Sequence, residues 1–240
     1  PSFNEADVSD KAENLKNLPL LPDAQISTST DNYRGRLGAL RAVDDQVGKI
    51  AKNLKKSGEF KNTYFIFTTD NGYMQGEHRL RSSKFLPYED SAKIPALIAG
   101  PGIKKGRKIG RPAMDVDMTA TIIDMADAKR GRTMDGISLL PALRGKKKLP
   151  QRDLPLEAMR PLFVFYTPIT AFDLPYYGVR TDRYKYIHWS FDTNNIELYD
   201  LKKDPDELDN LANKPAFAAT VAKLEAEATR LRSCRGNTCR

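Results

Sequence analysis

Residues 62–72 read NTYFIFTTDNG, and this stretch carries the fold assignment. Most of its first eight residues are aromatic or β-branched, which is typical of a strand buried on both faces in a parallel sheet. The run stops at Asp70-Asn71-Gly72, a triplet that favours a turn. We therefore expect a strand over residues 62–69 whose carboxyl end presents Asp70 and Asn71.

The segments on either side of this strand predict an α/β order. Upstream, apolar residues recur at three- and four-residue steps over residues 33–54, which predicts a helix of about six turns. Asp31 is a suitable residue to begin that helix and Ser57-Gly58 to end it. Downstream, residues 94–99 predict a second strand and residues 118–126 a second helix. Helix, strand, loop, strand and helix together indicate an α/β fold.

After residue 150 the pattern changes to an alternation of apolar and polar residues. Residues 177–190 predict a strand that turns at residues 181–183, and residues 196–200 predict its neighbour. Such alternation is typical of an antiparallel sheet with one face in water. A last helix is expected over residues 216–232, with an apolar side formed by Phe217, Val221, Leu224, Ala228 and Leu231.

These patterns divide the chain into two expected domains, residues 1–150 and residues 151–240. The first domain is the α/β part, and its residues 1–30 are mostly polar and expected to form an extended surface segment. The second domain is the small antiparallel sheet with its helix. It ends in Cys234 and Cys239, for which a small disulfide and two free thiols are both compatible with the sequence.

Composition restricts the classes of function. Hydrophobic residues make up 40% of the 240 residues, enough for a sizeable core, and no apolar run reaches the roughly 18 residues that would suggest a membrane helix. The net charge of +8 favours polyanionic partners, but the basic residues are scattered through loop-like stretches, so nucleic acid is not the favoured partner. No targeting leader is visible at Pro1, and we expect the gene to begin further upstream.

The loop of residues 70–84 is the leading candidate for a ligand site, because ligands of open α/β sheets collect at the carboxyl ends of strands. Asp70 and Asn71 offer a carboxylate and an amide oxygen, which are hard ligands suited to calcium or magnesium. Lys84 lies further along the same loop, and a metal ion and a lysine together suit an ester anion. His78 is compatible with a proton donor, a ligand or a surface imidazole.

An ordered series of motifs resembles the sulfatases of the alkaline-phosphatase superfamily, in particular bacterial enzymes similar to N-acetylglucosamine-6-sulfatase. The order of the motifs is more specific than any one of them. The resemblance covers nearly the whole chain and implies the C-terminal half of a mixed α/β sheet flanked by helices. Its motifs are Tyr33-Arg34-x-Arg36-Leu37, Thr69-Asp70-Asn71-Gly72, Gly76-Glu77-His78-Arg79, Lys84, Pro87-Tyr88-Glu89, Gly100-Pro101-Gly102, Asp135-Gly136-x-Ser138-Leu139 and Glu197-Leu198-Tyr199-Asp200-Leu201.

The resemblance also implies roles for individual residues. Asp70 and Asn71 would be calcium ligands, and Lys84 would contact the sulfate ester. His78 would contact either the substrate or one of the residues that bind it. The substrate would be a sulfate ester, for example on a sugar, and a secreted or periplasmic location is favoured. The family's nucleophile is a formylglycine made from Cys or Ser in a Cys/Ser-x-Pro-x-Arg motif, and this sequence contains no such motif.

The nucleophile and the remaining metal ligands are therefore expected in the N-terminal half of the same protein. No catalytic nucleophile lies in this chain, and we expect no sulfatase turnover from these residues alone.

Two alternatives remain open. A phosphoester or phosphonate hydrolase of the same superfamily would bind a similar tetrahedral anion without the formylglycine motif. A non-catalytic module that binds sulfated glycans or nucleic acid is supported by the net charge, and Lys146-Lys147-Lys148 is the residue cluster to neutralise in a test of it.

Overall fold

The computed structural model describes residues 1–13, 15–81, 84–158, 175–189 and 195–239. No helix among these residues combines the length and the apolar character needed to cross a membrane. Short 3-10 turns lie at Glu59–Asn62, Pro215–Phe217 and Gly236–Cys239. The main elements in chain order are α1 (Asp23–Lys56), β1 (Phe65–Thr68), α2 (Glu89–Ala92), β2 (Ala96–Ala99), α3 (Asp115–Met125), α4 (Leu140–Leu143), β3 (Leu154–Ala158), β4 (Tyr176–Arg180), β5 (Tyr184–Trp189), β6 (Ile196–Asp200) and α5 (Ala218–Arg232).

Helix α1 is the longest element and lies at the surface. It begins at Asp23, well before the predicted start at Asp31, and it ends as predicted, since Gly58 takes a φ of 81° that favours glycine. The predicted apolar stripe is present, but it faces solvent. Its members are between 42% and 53% exposed: Tyr33, Leu37, Leu40, Val43, Val47 and Ile50.

Strands β1 and β2 form a two-stranded sheet, and here the prediction of a doubly covered parallel sheet is wrong. The strands pair antiparallel, with Phe65 opposite Ala99 and Thr68 opposite Ala96. Phe67 is 42% exposed and Leu97 is 66% exposed. An unbroken apolar run predicts that a strand is to be covered, but it specifies neither the direction of the neighbouring strand nor the element that covers it.

Strands β3 to β6 form a four-stranded antiparallel sheet in sequence order. The predicted turn after β4 is confirmed, because the Thr181 amide donates to the Tyr184 carbonyl at 2.8 Å and β5 follows directly. The expected water-facing side is wrong, because every residue of β5 from Lys185 to Trp189 is buried.

Both faces of this sheet are covered. On one face, Tyr186 and Leu198 pack with the α5 residues Leu224, Ala228 and Leu231, which lie on the helix side that the sequence predicted. The other face belongs to a second core formed with the chain's first residues and the loop after β1. That core contains Ala12, Leu15, Met74, Leu80, Leu86, Tyr88, Tyr176, Ile187, Trp189 and Tyr199.

The prediction of an extended surface segment over residues 1–30 is wrong in part, because several residues among 1–13 and 15–22 belong to the core and α1 begins at Asp23. Val8, Ala12 and Leu15 are buried, and the polar residues among them are paired. Lys11 Nζ lies 3.3 Å from Glu5 Oε1, and the Ala12 amide donates to Glu197 Oε1 at 2.6 Å. The low hydropathy of this segment gave no indication of its burial, because its polar groups find hydrogen-bonding partners only in the folded chain.

An ion pair and a disulfide further stabilise the fold. Asp117, in the first turn of α3, accepts from the Met114 amide at 2.8 Å and pairs with the buried Arg152. Cys234 and Cys239 form a disulfide, which decides between the two states that the sequence left open.

Candidate active site

Asp70 and Asn71 directly follow β1, at the end of the strand where the sequence placed them. Asp70 is exposed and Asn71 is half-buried, so oxygens of both side chains are within reach of a ligand. Thr69 supports the turn, because its hydroxyl lies 3.2 Å from Asp70 Oδ1 and 3.3 Å from the Asn71 carbonyl oxygen. The pair is therefore held at the edge of the sheet and directed away from its core.

Backbone hydrogen bonds between α2 and the residues after Asn71 hold the turn in place. The Gly72 amide donates to the Ser91 carbonyl and the Tyr73 amide donates to the Asp90 carbonyl, each at 2.8 Å. A Cβ atom on Gly72 would lie 2.0 Å from the Asp90 carbonyl oxygen, so this close approach requires glycine.

The charge of Lys84 acts on Asp70. The pKa of the Asp70 carboxyl group is lowered, first because its own backbone amide donates to it, and further because of Thr69, the Asn71 amide and the Lys84 charge. Lys84 is exposed, and its Nζ lies 4.9 Å from the centroid of the Phe85 ring. The carboxylate form of Asp70 is thus favoured mainly by the backbone amides and Thr69, and the Lys84 charge contributes less than they do.

His78 lies in the core behind the loop. Its side chain is buried, its Nδ1 is 2.6 Å from Glu5 Oε2, and its ring packs on Tyr88 with 4.5 Å between the centroids. Its φ of 50° and the φ of 63° at Arg79 turn the chain sharply. In this position His78 ties residues 1–22 to the loop, and its role toward the substrate stays a prediction.

Arg79 also joins the loop to the first segment of the chain. Its guanidinium donates to three backbone carbonyls of the first segment, those of Glu5, Ala6 and Leu18, at 2.6–2.8 Å. The sequence motif Gly76-Glu77-His78-Arg79 therefore joins the loop to the first segment of the chain.

The oxygens of Asp70 and Asn71 fit part of a calcium site. They are hard donors and they are accessible, but calcium takes six to eight oxygen ligands. Within the part of the chain that the structure describes, no group of three or more His, Cys, Asp or Glu side chains could hold a metal ion. The other ligands of a calcium ion would have to come from outside these residues.

The sequence assigned no site role to Arg36, which also reaches this loop. Its guanidinium carbon lies 4.1 Å from the centroid of the Tyr73 ring, and its Nη1 donates to Gln75 Oε1 at 3.1 Å. No local pattern indicated this contact, because Arg36 and Gln75 are 39 positions apart in sequence.

Comparison with known families settles the relationship. The sulfatase family pattern matches residues 4–128, and the pattern described as "N-sulphoglucosamine sulphohydrolase, C-terminal" matches residues 76–234. This chain belongs to the sulfatase family. The matches correspond to the C-terminal part of its relatives, as the motif order implied.

Similar curated sulfatases come from distant organisms. The chain is 32% identical to N-acetylglucosamine-6-sulfatase of Homo sapiens over 92% of its own length and 44% of that protein. It is 33% identical to N-acetylglucosamine-6-O-sulfatase of Bacteroides thetaiotaomicron over 84% of its own length and 36% of that protein. The chain thus spans less than half the length of these two sulfatases.

Solved structures agree with the predicted alkaline-phosphatase-like α/β class. A structure described as BT4656 in complex with its substrate D-glucosamine-2-N,6-O-disulfate matches with a TM-score of 0.66 and 29% identity, covering 80% of this chain and 38% of that one. A phosphonate monoester hydrolase of Agrobacterium radiobacter matches with a TM-score of 0.64 and 28% identity, covering 80% of this chain and 39% of that one.

Proposed function

We propose that this chain is the C-terminal part of a sulfuric ester hydrolase, to which it contributes Asp70, Asn71 and Lys84. The observation that supports this most directly is the position of Asp70 and Asn71 at the end of β1, where Asp70 is exposed and Asn71 is half-buried. The family membership of the chain and the names of its relatives point to the same chemistry.

Each of the three side chains has a distinct task in this proposal. Asp70 and Asn71 would hold calcium, which supplies Lewis-acid neutralisation of negative charge on the ester when it is bound. The lowered pKa of Asp70 keeps its carboxylate ionised and ready to bind a cation as the pH falls. The Lys84 ammonium would donate a hydrogen bond to an oxygen of the sulfate ester. Asn71 adds an oxygen ligand without adding charge.

The nucleophile would come from the N-terminal half of the same protein. The exposed stripe of α1 supports this inference, because a helix face that is apolar over six positions and open to water is typical of an interface. Phe67 and Leu97 add apolar surface on β1 and β2. We infer that the upstream half packs against these surfaces. By analogy with the relatives, the substrate would be a sulfate ester on an amino sugar.

Calcium titration of the purified chain tests the ligand assignment. We expect Asp70→Ala to weaken calcium binding at least about tenfold, since it removes a charged ligand from an incomplete site. Asp45→Ala is the matched control, because Asp45 is an exposed carboxylate on α1. Equal affinities of the two variants would overturn the role of Asp70.

Hydrolysis tests the reaction. The chain alone should not hydrolyse an aryl sulfate above a chain-free blank. A chimera in which the N-terminal part of the Bacteroides thetaiotaomicron relative precedes this chain should do so. In that chimera Lys84→Ala should lower kcat about 100-fold, the usual loss for one donor that stabilises a developing anion. Turnover by the chain alone, or an unchanged kcat in the variant, contradicts the proposal.

A phosphonate or phosphoester hydrolase is the second candidate, and the similarity to the Agrobacterium radiobacter enzyme favours it. The ratio of aryl sulfate to phenylphosphonate hydrolysis by the chimera separates the two reactions. A ratio above one supports the sulfatase, and a ratio below one supports the phosphonate hydrolase.

A further inference from the structure

Arg36 and the loop residues Tyr73 and Gln75 form a unit beside the proposed ester site. The Arg36 guanidinium stacks on the Tyr73 ring at 4.1 Å, and its Nη1 donates to Gln75 Oε1 at 3.1 Å. Tyr73 and Gln75 follow Asn71 by two and four positions. The Cα atoms of Asn71 and Gln75 can therefore be at most about 14 Å apart.

Each of the three residues in this unit is held in place by a different part of the structure. The backbone amide of Tyr73 donates a hydrogen bond to the Asp90 carbonyl, which holds Tyr73 in place. The Gln75 amide donates to Glu77 Oε2 at 2.5 Å, which fixes the next part of the loop. Arg36 itself is carried by α1. A guanidinium that is stacked and hydrogen-bonded loses little further freedom when it binds a ligand.

The charge of Arg36 is not neutralised. Across the described ranges no carboxylate lies within 4.0 Å of its guanidinium, and Gln75 is the one hydrogen-bond acceptor that its side chain contacts. Its neighbour Arg34 differs, because it pairs with Asp31 at 3.4 Å. Arg79 differs as well, because backbone carbonyls occupy its donors. Arg36 therefore retains Nε and Nη2 as a planar pair of donors.

We propose that Arg36 binds a second anionic group of the substrate, a sulfate or a carboxylate on the same sugar or on the next one. This inference rests on the proposed function, since it places the reacting ester at Asp70, Asn71 and Lys84. A planar guanidinium matches the paired oxygens of such groups, and a lysine at this position would not. The chain would thereby select glycans with two anionic groups over glycans with one.

Binding measurements in the presence of calcium test this proposal, on the chimera with the N-terminal part of the Bacteroides thetaiotaomicron relative and with its nucleophile substituted so that no ligand is hydrolysed. The ligands are glucosamine-6-O-sulfate, glucosamine-2-N,6-O-disulfate and a 6-O-sulfated disaccharide that carries one uronate carboxylate. We expect the parent to prefer a doubly anionic ligand about tenfold, the usual effect of a hydrogen bond to a charged group. Arg36→Ala should remove this preference and leave the affinity for the monosulfate unchanged. Arg34→Ala should keep the preference.

The outcomes separate this proposal from the proposed function. A preference for the disulfate that Arg36→Ala abolishes identifies a sulfate as the second group, and a preference for the uronate ligand identifies a carboxylate. If Arg36→Ala changes neither affinity while Asp70→Ala weakens all ligands, the Arg36 inference is overturned and the proposed site stands. If Arg36→Ala acts as expected while Asp70→Ala has no effect, the proposed site is overturned. If no ligand binds the parent chimera, both are overturned.

Discussion

The two sheets of this chain differ in how far neighbouring elements cover them. In the four-stranded sheet, residues 185–189 of β5 are buried without interruption. In the two-stranded sheet, Leu97 of β2 is 66% exposed. The difference lies in the neighbours: α5 and residues 1–22 enclose one sheet, while the apolar face of α1 points to solvent. Burial is thus a property of the assembled fold, and among the described residues the α/β part leaves apolar side chains exposed where the C-terminal sheet does not.

A pair of leucine substitutions tests this contrast most strongly. Leu198→Ala in β6 should lower the free energy of unfolding by about 2–5 kcal/mol, because it leaves a cavity between the sheet and α5. Leu97→Ala in β2 is the matched control and should change it by less than about 0.5 kcal/mol, because that side chain is largely in water. Urea unfolding of both variants provides the measurement. Equal losses would show that the two sheets do not differ in this way.

The buried carboxyl group of Glu197 should make the C-terminal core sensitive to pH. Burial raises the pKa of Glu197, although bonds from the Ala12 amide and Tyr88 and the charge of Lys11 oppose this. Its stabilising contribution is therefore complete below the ordinary pKa of about 4.5 and is lost as the pH rises through the raised value.

Relative to Glu197→Gln, the parent should become more stable as the pH falls from 8 to 5. The expected change is on the order of 1 kcal/mol, since one pKa unit corresponds to about 1.4 kcal/mol. Denaturant unfolding of both proteins at several pH values measures it. A constant difference between them would contradict the assignment to Glu197.

The smallest effect is expected on α1, and it depends on the partner. In this chain Leu40→Ala should alter the free energy of unfolding by less than about 0.5 kcal/mol, because Leu40 is half exposed. In the chimera with an upstream sulfatase half, the same change should cost about 2 kcal/mol or more, because the side chain is then covered. Thermal unfolding of both pairs is the measurement. A negligible effect in the chimera argues against α1 as the interface.

Local patterns predicted the elements but not their neighbours. The helix that ends at Gly58, the turn at residues 181–183 and the apolar side of α5 follow from short-range spacing and turn chemistry. The antiparallel pairing of β1 with β2 and the second covered face of β5 depend on contacts between residues far apart in sequence, which periodicity does not encode.

The candidate site shows the same division. Asp70 and Asn71 could be placed at the end of a strand from the sequence, because strand and turn signals adjoin there. The burial of His78 depends on Glu5, which is 73 positions away, and no local pattern indicates such a pair. Arg36 reaches the loop from α1, 39 positions from Gln75, so its contact required the tertiary arrangement.

Lys84 and Asp70 are close in sequence but belong to different parts of the fold. Asp70 extends from β1, whereas the flanking residues Leu80, Leu86 and Tyr88 belong to the core that includes Trp189 and Tyr199. The spacing of the two charged groups therefore depends on how the end of β1 is held against this core. The hydrogen bonds from Gly72 and Tyr73 to α2 provide that connection.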